Sequence, residues 1–258
     1  MIDDALGAIE AYERALELEP ESTLTLDYLI ALYEHRSDAT RLVDLFRRRV
    51  ELCGVGDEDL KFQLLFSASS RYVTDLSDHR EAIECLVQAL RVRDKDPEVL
   101  RRLDALYTHE RLWPDLLDNL KLQAEAAPDD SERRSLKKRI ASLYAVQLQD
   151  AQSALEAYRG VLDGGFDEES VAAIRGIGES RDELRGEAAD ALEPVLRAAG
   201  RHQDLVCALE LRLRSQTEAP DRARTLRSLA TVSETALGNV EQAESALIRA
   251  LAEVPEDA

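Results

Sequence analysis

The sequence repeats itself, and this constrains its fold more than its composition does. Four stretches align without gaps: AIEAYERALELEP at 8–20, AIECLVQALRVRD at 82–94, ALEAYRGVLDGGF at 154–166 and AESALIRALAEVP at 243–255. Their starts lie 74, 72 and 89 residues apart. A pattern that returns at such a period builds a stack of like units, because one unit of this size cannot bury its own apolar face. Each stretch follows a matching turn: Ile2-Asp3-Asp4, Leu76-Ser77-Asp78, Leu148-Gln149-Asp150 and Leu237-Gly238-Asn239. In every case an apolar helix end precedes an Asp or Asn suited to cap the next helix.

Other segments recur between these four. LDYLIALYEHR at 26–36 matches LRRLDALYTHE at 100–110, and 191–205 matches the latter 89 residues on. Each leads into a further helix, at 41–52, 115–126 and 204–215. A third set, at 64–76, 136–148 and 226–237, precedes the turns. Leu26, Leu29, Ile30 and Tyr33 fall at i, i+3, i+4 and i+7, an apolar stripe on one helical face. Asp96-Pro97-Glu98 supplies a cap and then Pro at the first helical position, and Asp78 with Glu81 makes a capping-box-like start. Pro20, Pro128 and Pro255 follow helix ends. The pattern predicts helices near 4–18, 23–35, 39–52, 58–75, 79–92, 97–110, 113–126, 130–148, 151–163, 168–179, 183–199, 202–216, 220–236 and 240–253. The repeating unit is thus about four helices in about 74 residues, and residues 1–258 read as a single array. The last unit, near 164–258, is expanded by one inserted or lengthened helix around 168–199. Gly176, Gly178 and Gly186 are expected to loosen that stretch, and Pro194 to kink it. The first and last helices read as halves of pairs, so the chain is expected to be a segment of a longer array.

Composition agrees with helices. Apolar residues make up 45% of the chain and charged residues 33%, but aromatic residues only 5%. Ala, Leu, Glu and Arg, the commonest residues, are strong helix formers. The net charge of −19 argues against nucleic acid and against an anionic membrane surface as partners. Only five of the 33 basic residues are Lys, a bias that a GC-rich bacterial genome explains as readily as guanidinium chemistry does. Cys53, Cys85 and Cys207 are odd in number and far apart, which predicts small buried thiols in a reduced compartment. With no signal-like N-terminus and no long apolar run, the expected location is the cytoplasm.

The repeats resemble the tetratricopeptide repeat. Its second helix carries a small residue, an aromatic four positions on, another small residue and then Pro. Ala8, Tyr12, Ala15 and Pro20 match all four, and Ala243, Leu247, Ala250 and Pro255 match with Leu for the aromatic. Ala82, Leu86 and Ala89 match with Asp94 at the Pro position; Ala154, Tyr158 and Val161 match more loosely, with Phe166 there. For the first helix, Leu65, Ala68, Ser69 and Tyr72 fit, as do Leu136, Ile140, Ala141 and Tyr144. Hairpins 23–52 and 97–126 lack the small-residue signature. The resemblance implies an all-α fold, a right-handed α-solenoid (α-α superhelix) of helical hairpins, about 14 helices in all. It also implies a non-catalytic scaffold that binds a partner protein or peptide in a concave groove. Transferring the groove positions of the first helices gives Asp27, Gln63, Arg101, Lys138, Arg224 and Arg227. Four of these six are basic, so a carboxylate or acidic peptide is the expected ligand. Self-assembly through the array ends is the alternative, and an RNA-processing helical repeat a more distant one.

No catalytic, cofactor or metal signature stands out. None of His35, His79, His109 and His202 pairs with Cys, Asp or Glu at metal-ligand spacing, and HExxH, GxSxG and P-loop motifs are absent from the sequence. His35 and His109 are expected to complement helix C-termini. Gly164-Gly165 reads as a C-cap, and Glu168-Glu169 and Asp129-Asp130 as helix starts. Trp113 is expected to pack between hairpins rather than anchor a partner. The Arg47-Arg48-Arg49 run is expected to form a solvated face.

Overall fold

The computed structural model describes residues 2–36 and 38–254, with side chains from residue 6 onward. Among the described residues there are fourteen α-helices, one short 3-10 turn and no strand. The chain divides into two compact units, Met1–Ala126 and Ala127–Ala258. The first holds α1 (Ile2–Leu18), α2 (Thr23–Arg36), α3 (Ala39–Glu51), α4 (Glu58–Thr74), α5 (His79–Val92), α6 (Pro97–Glu110) and α7 (Trp113–Ala126). The second holds α8 (Asp130–Val146), α9 (Ala151–Leu162), α10 (Glu168–Ser180), α11 (Arg185–Ala198), α12 (His202–Ser215), α13 (Ala219–Thr235) and α14 (Val240–Glu253). Every expected helix is present. α1 begins two residues early, so Asp4 lies inside it and not before it. Pro255 falls outside the described residues.

Local chemistry explains the helix starts. Side chains of Asp38, Asp78, Asp96, Asp129, Asp150, Asp167 and Asn239 each accept a backbone N–H from the first turn of the helix they precede. Three of the four repeated turns share one backbone geometry. Ser77, Gln149 and Gly238 are left-handed, with φ of 53°, 54° and 63°. The caps that follow donate back to Tyr72, Tyr144 and Ser233 carbonyls at 2.9, 2.9 and 2.8 Å. Two of these left-handed positions therefore carry side chains where glycine is the unstrained choice.

Within each unit, extensive packing joins helices consecutive in the chain. This is the one-dimensional order of a repeat stack. The motif residues supply the contact surface: Ala82, Ala89, Ala154 and Ala243 are buried, and so are Leu65, Ala68, Ser69, Tyr72, Leu136, Ile140 and Ala141. Small residues let helices approach closely, and each buried large side chain contributes roughly 1.5–3 kcal/mol before entropy is subtracted. The aromatic position is buried at Leu86 (1% exposed) and Tyr158 (7%) but open at Leu247 (44%).

The Arg run does not form a solvated face. Arg47 pairs with Glu81 and lies over Tyr72, and Arg48 reaches the Pro20 carbonyl. Arg49 is buried and donates to Asp27 at 2.9 Å. The 100° step between neighbours on a helix aims these three side chains at three different surroundings.

The expansion in the second unit is a whole helix, α10, set between α9 and α11. The break expected near the glycines falls at Arg181, and the 3-10 turn Asp182–Leu184 links α10 to α11. Gly178 has a different role from the one its type suggests. A Cβ there would stand 2.6 Å from Leu211 Cδ2 and 2.8 Å from Ala188 Cβ. Its missing side chain lets α10 seat against α11 and α12, so this glycine tightens the region. The helix assignment of α11 is unbroken through Pro194.

Candidate partner-binding surface

α8 is the most basic helix, with Arg133, Arg134, Lys137, Lys138 and Arg139 within seven residues. Its sequence puts Arg134 and Lys138 opposite Leu136, Ile140 and Leu143, which are buried, with Arg133, Lys137 and Arg139 on the flanks. The basic face borders a recess of about 730 Å³ between α8, the end of α9 and the loop that enters α10. Arg134 builds the far wall. Its guanidinium donates to the carbonyls of Gly164, Gly165 and Phe166 at 3.4, 2.6 and 3.2 Å. The left-handed Gly165 (φ 108°) bends the chain so that these carbonyls converge.

The cations in the recess differ in how far they are committed. Lys138 bridges Glu169 at 2.8 Å and Asp167 at 3.2 Å, and those bonds raise its pKa. Burial pushes the Asp167 carboxyl up, but hydrogen bonds from Ser170 and Lys138 outweigh it, and the net pKa is lowered. Arg133 pairs with Asp130. Lys137 is exposed and has no ion pair among the described residues. Arg134 Nε is buried without a hydrogen-bond acceptor. The recess therefore offers one free ammonium beside cations held in place by carboxylates that an incoming anion can displace.

The six positions transferred from the groove are spread over five helices. Asp27, on α2, is held by the buried Arg49. Gln63 is exposed on α4. Arg101, on α6, pairs with Glu98 at 2.7 Å and donates to the Pro97 carbonyl. Arg224, on α13, pairs with Asp221 at 3.0 Å, and Arg227 is half-buried one turn on. Of the six, only Lys138 lines the α8 recess. The neighbouring Arg133, Arg134 and Lys137 were not among the transferred positions. The run RRSLKKR was the available signal, but its register against α9 is set by packing that one sequence does not display.

Two further groups stand differently from expectation. Cys85 is buried, and burial pushes its thiol up to about 11, whereas Cys53 is half-buried and Cys207 exposed. The expectation of uniformly buried thiols thus fails at Cys207. His79 and His109, distant in sequence, meet at Glu110. Trp113 is half-buried at the start of α7. Among the described residues, no helix is long and apolar enough to cross a membrane.

No protein-family model matches this sequence, and no curated protein resembles it significantly. Solved structures do match. A chain in the structure of Naa15/Naa10 bound to HypK-THB aligns over 93% of this chain with 16% identity and a TM-score of 0.50. This chain spans only 36% of that one. A tetratricopeptide repeat protein from Parabacteroides merdae aligns over 94% of this chain and 99% of its own at 13% identity, with a TM-score of 0.38. The TPR2AB domain of yeast Sti1, in its pHSP90 complex, aligns over 76% of this chain and 79% of its own at 16% identity, with a TM-score of 0.34. The fold is an all-helical repeat of the tetratricopeptide-like kind.

Proposed function

We propose that this chain is a non-catalytic scaffold that holds a partner protein through an acidic segment, with the α8 recess as the principal contact. The observation that carries this reading is the clustering of Arg133, Arg134, Lys137 and Lys138 around one recess in a chain of net charge −19. Overall charge repels an acidic ligand, and the local field reverses that over a short range. A peptide carboxylate would take Lys137 directly and displace Asp167 or Glu169 from Lys138. Asp27, Gln63, Arg101, Arg224 and Arg227 are proposed as further contacts on the other first helices. A chain of similar fold occurs in a complex of several proteins, Naa15/Naa10 bound to HypK-THB, which supports a protein partner for this one.

The test uses a fluorescent Asp/Glu-rich peptide with a free C-terminal carboxylate, titrated by anisotropy. Lys137→Glu and Lys138→Glu are each expected to weaken binding at least tenfold, a change of about 1.4 kcal/mol. Lys137 makes no internal ion pair, so its reversal spares the fold. Equal affinity of Lys137→Glu and the unaltered chain would overturn the assignment of the recess.

A second reading, self-assembly, has one observation in its favour. Leu247, Ile248 and Leu251 of α14 form an exposed apolar stripe. Light scattering over a concentration series is expected to show association that Ile248→Glu abolishes. A constant monomer mass throughout would dispose of that reading.

A further inference from the structure

The hairpin of α5 and α6 carries a cluster that no repeat motif requires. α5 starts at His79, and α6 ends with His109 and Glu110. Because the two helices pack against each other as an antiparallel pair, the start of one meets the end of the other. His79 Nδ1 lies 2.7 Å from Glu110 Oε1, and His109 Nδ1 lies 2.9 Å from the same oxygen. The two imidazole rings stand edge to face, with centroids 4.5 Å apart. One ligand atom from each of the three residues falls within 4.8 Å of the others.

We propose that His79, His109 and Glu110 form a surface site for a borderline divalent transition metal of the zinc, nickel or copper class. Two imidazoles and one carboxylate are the donor set that such ions take, whereas magnesium and calcium prefer oxygen alone. An ion about 2.1 Å from three donors holds them roughly 3.4 Å apart. The donors now sit closer, bridged by protons, so the ion replaces protons after an opening of about half an ångström. His109 and Glu110 are open to solvent, which leaves the remaining coordination positions for water or an outside ligand.

The repeat supplies an internal control. The helix-start position of His79 is Ala151 in α9 and Val240 in α14. The positions of His109 and Glu110, carried 89 residues on, are Ala198 and Ala199 at the end of α11. In the preceding unit the position of His109 is again a histidine, His35, but Arg36 follows it in place of Glu110, so the full set of three occurs at one hairpin. Their convergence at one hairpin is not explained by folding.

The test is calorimetric titration of the Cys207→Ser chain with Zn²⁺, alongside Cu²⁺ quenching of Trp113. That tryptophan lies three residues past Glu110, within about 11 Å along the chain. One Zn²⁺ per chain is expected, with Cu²⁺ quenching reversed by Zn²⁺ and no effect of Mg²⁺ or Ca²⁺. His79→Ala and His109→Ala are each expected to lower Zn²⁺ affinity at least tenfold while circular dichroism stays unchanged. Zn²⁺ binding of unaltered affinity in the His79→Ala/His109→Ala double variant, or no stoichiometric binding to the parent chain, would overturn the proposal.

Discussion

At the scale of single residues, backbone conformation and side-chain identity disagree at two repeated turns. Ser77 and Gln149 hold left-handed φ values that Gly238 holds in the equivalent turn. A Cβ in that region costs roughly 1–2 kcal/mol, of which glycine's greater freedom in the unfolded chain takes back a part. Ser77→Gly and Gln149→Gly are therefore each expected to stabilise the chain by about 0.5–1 kcal/mol, read as a higher urea midpoint with unchanged slope. A lower midpoint for both would show that these side chains contribute contacts exceeding the strain. Acidic caps behave differently. Side-chain and backbone hydrogen bonds from Ser153 hold Asp150 below the usual carboxylate range, and Asp167 is lowered as well. A carboxylate with a depressed folded pKa stabilises above its unfolded value, near 3.9, and loses that contribution as pH falls through the folded one. Acid unfolding should therefore set in below about pH 4, and Asp150→Asn/Asp167→Asn should flatten the melting-temperature profile there. An unchanged profile would contradict that assignment.

Among the elements, helix limits were legible because their causes are local. Asp78, Asp96, Asp150 and Asn239 cap the helices that their spacing indicated. The extra helix was legible too, since 89 residues exceed the other repeat steps by about one helix and its loop. What escaped depends on neighbours far along the chain. Gly178 reads in sequence as a loosening residue, yet Ala188 and Leu211, brought by two later helices, fill the space beside it. Gly178→Ala is expected to destabilise the second unit by about 1–3 kcal/mol, because Ala188 Cβ is close to its backbone and cannot swing away. The control is Gly176→Ala, which meets nothing within 4 Å and replaces a helical glycine by a better helix former. Equal stability of the two variants would show that the close seating of α10 is not needed. The histidine cluster was invisible for the same reason: His79 and Glu110 are 31 residues apart and meet only once the hairpin closes.

For the chain as a whole, the repeat period and the motif residues determine a stack of helices, but they say little about what it holds. Surface charge carries that information, and a basic residue on a helix is informative only when its internal partners are known. Arg101 and Arg224 looked like free groove cations, and each has a carboxylate three residues away. Lys137 was not singled out, and among the described residues it is the cation of the α8 recess with neither a carboxylate nor a carbonyl partner. The recess is proposed as the place where an acidic partner binds. Amide hydrogen exchange with and without the Asp/Glu-rich peptide tests this most directly. The predicted result is the strongest slowing of exchange at 130–138 and 160–168, with α5 unchanged. Slowed exchange confined to other helices, at a peptide concentration that saturates binding, would contradict it.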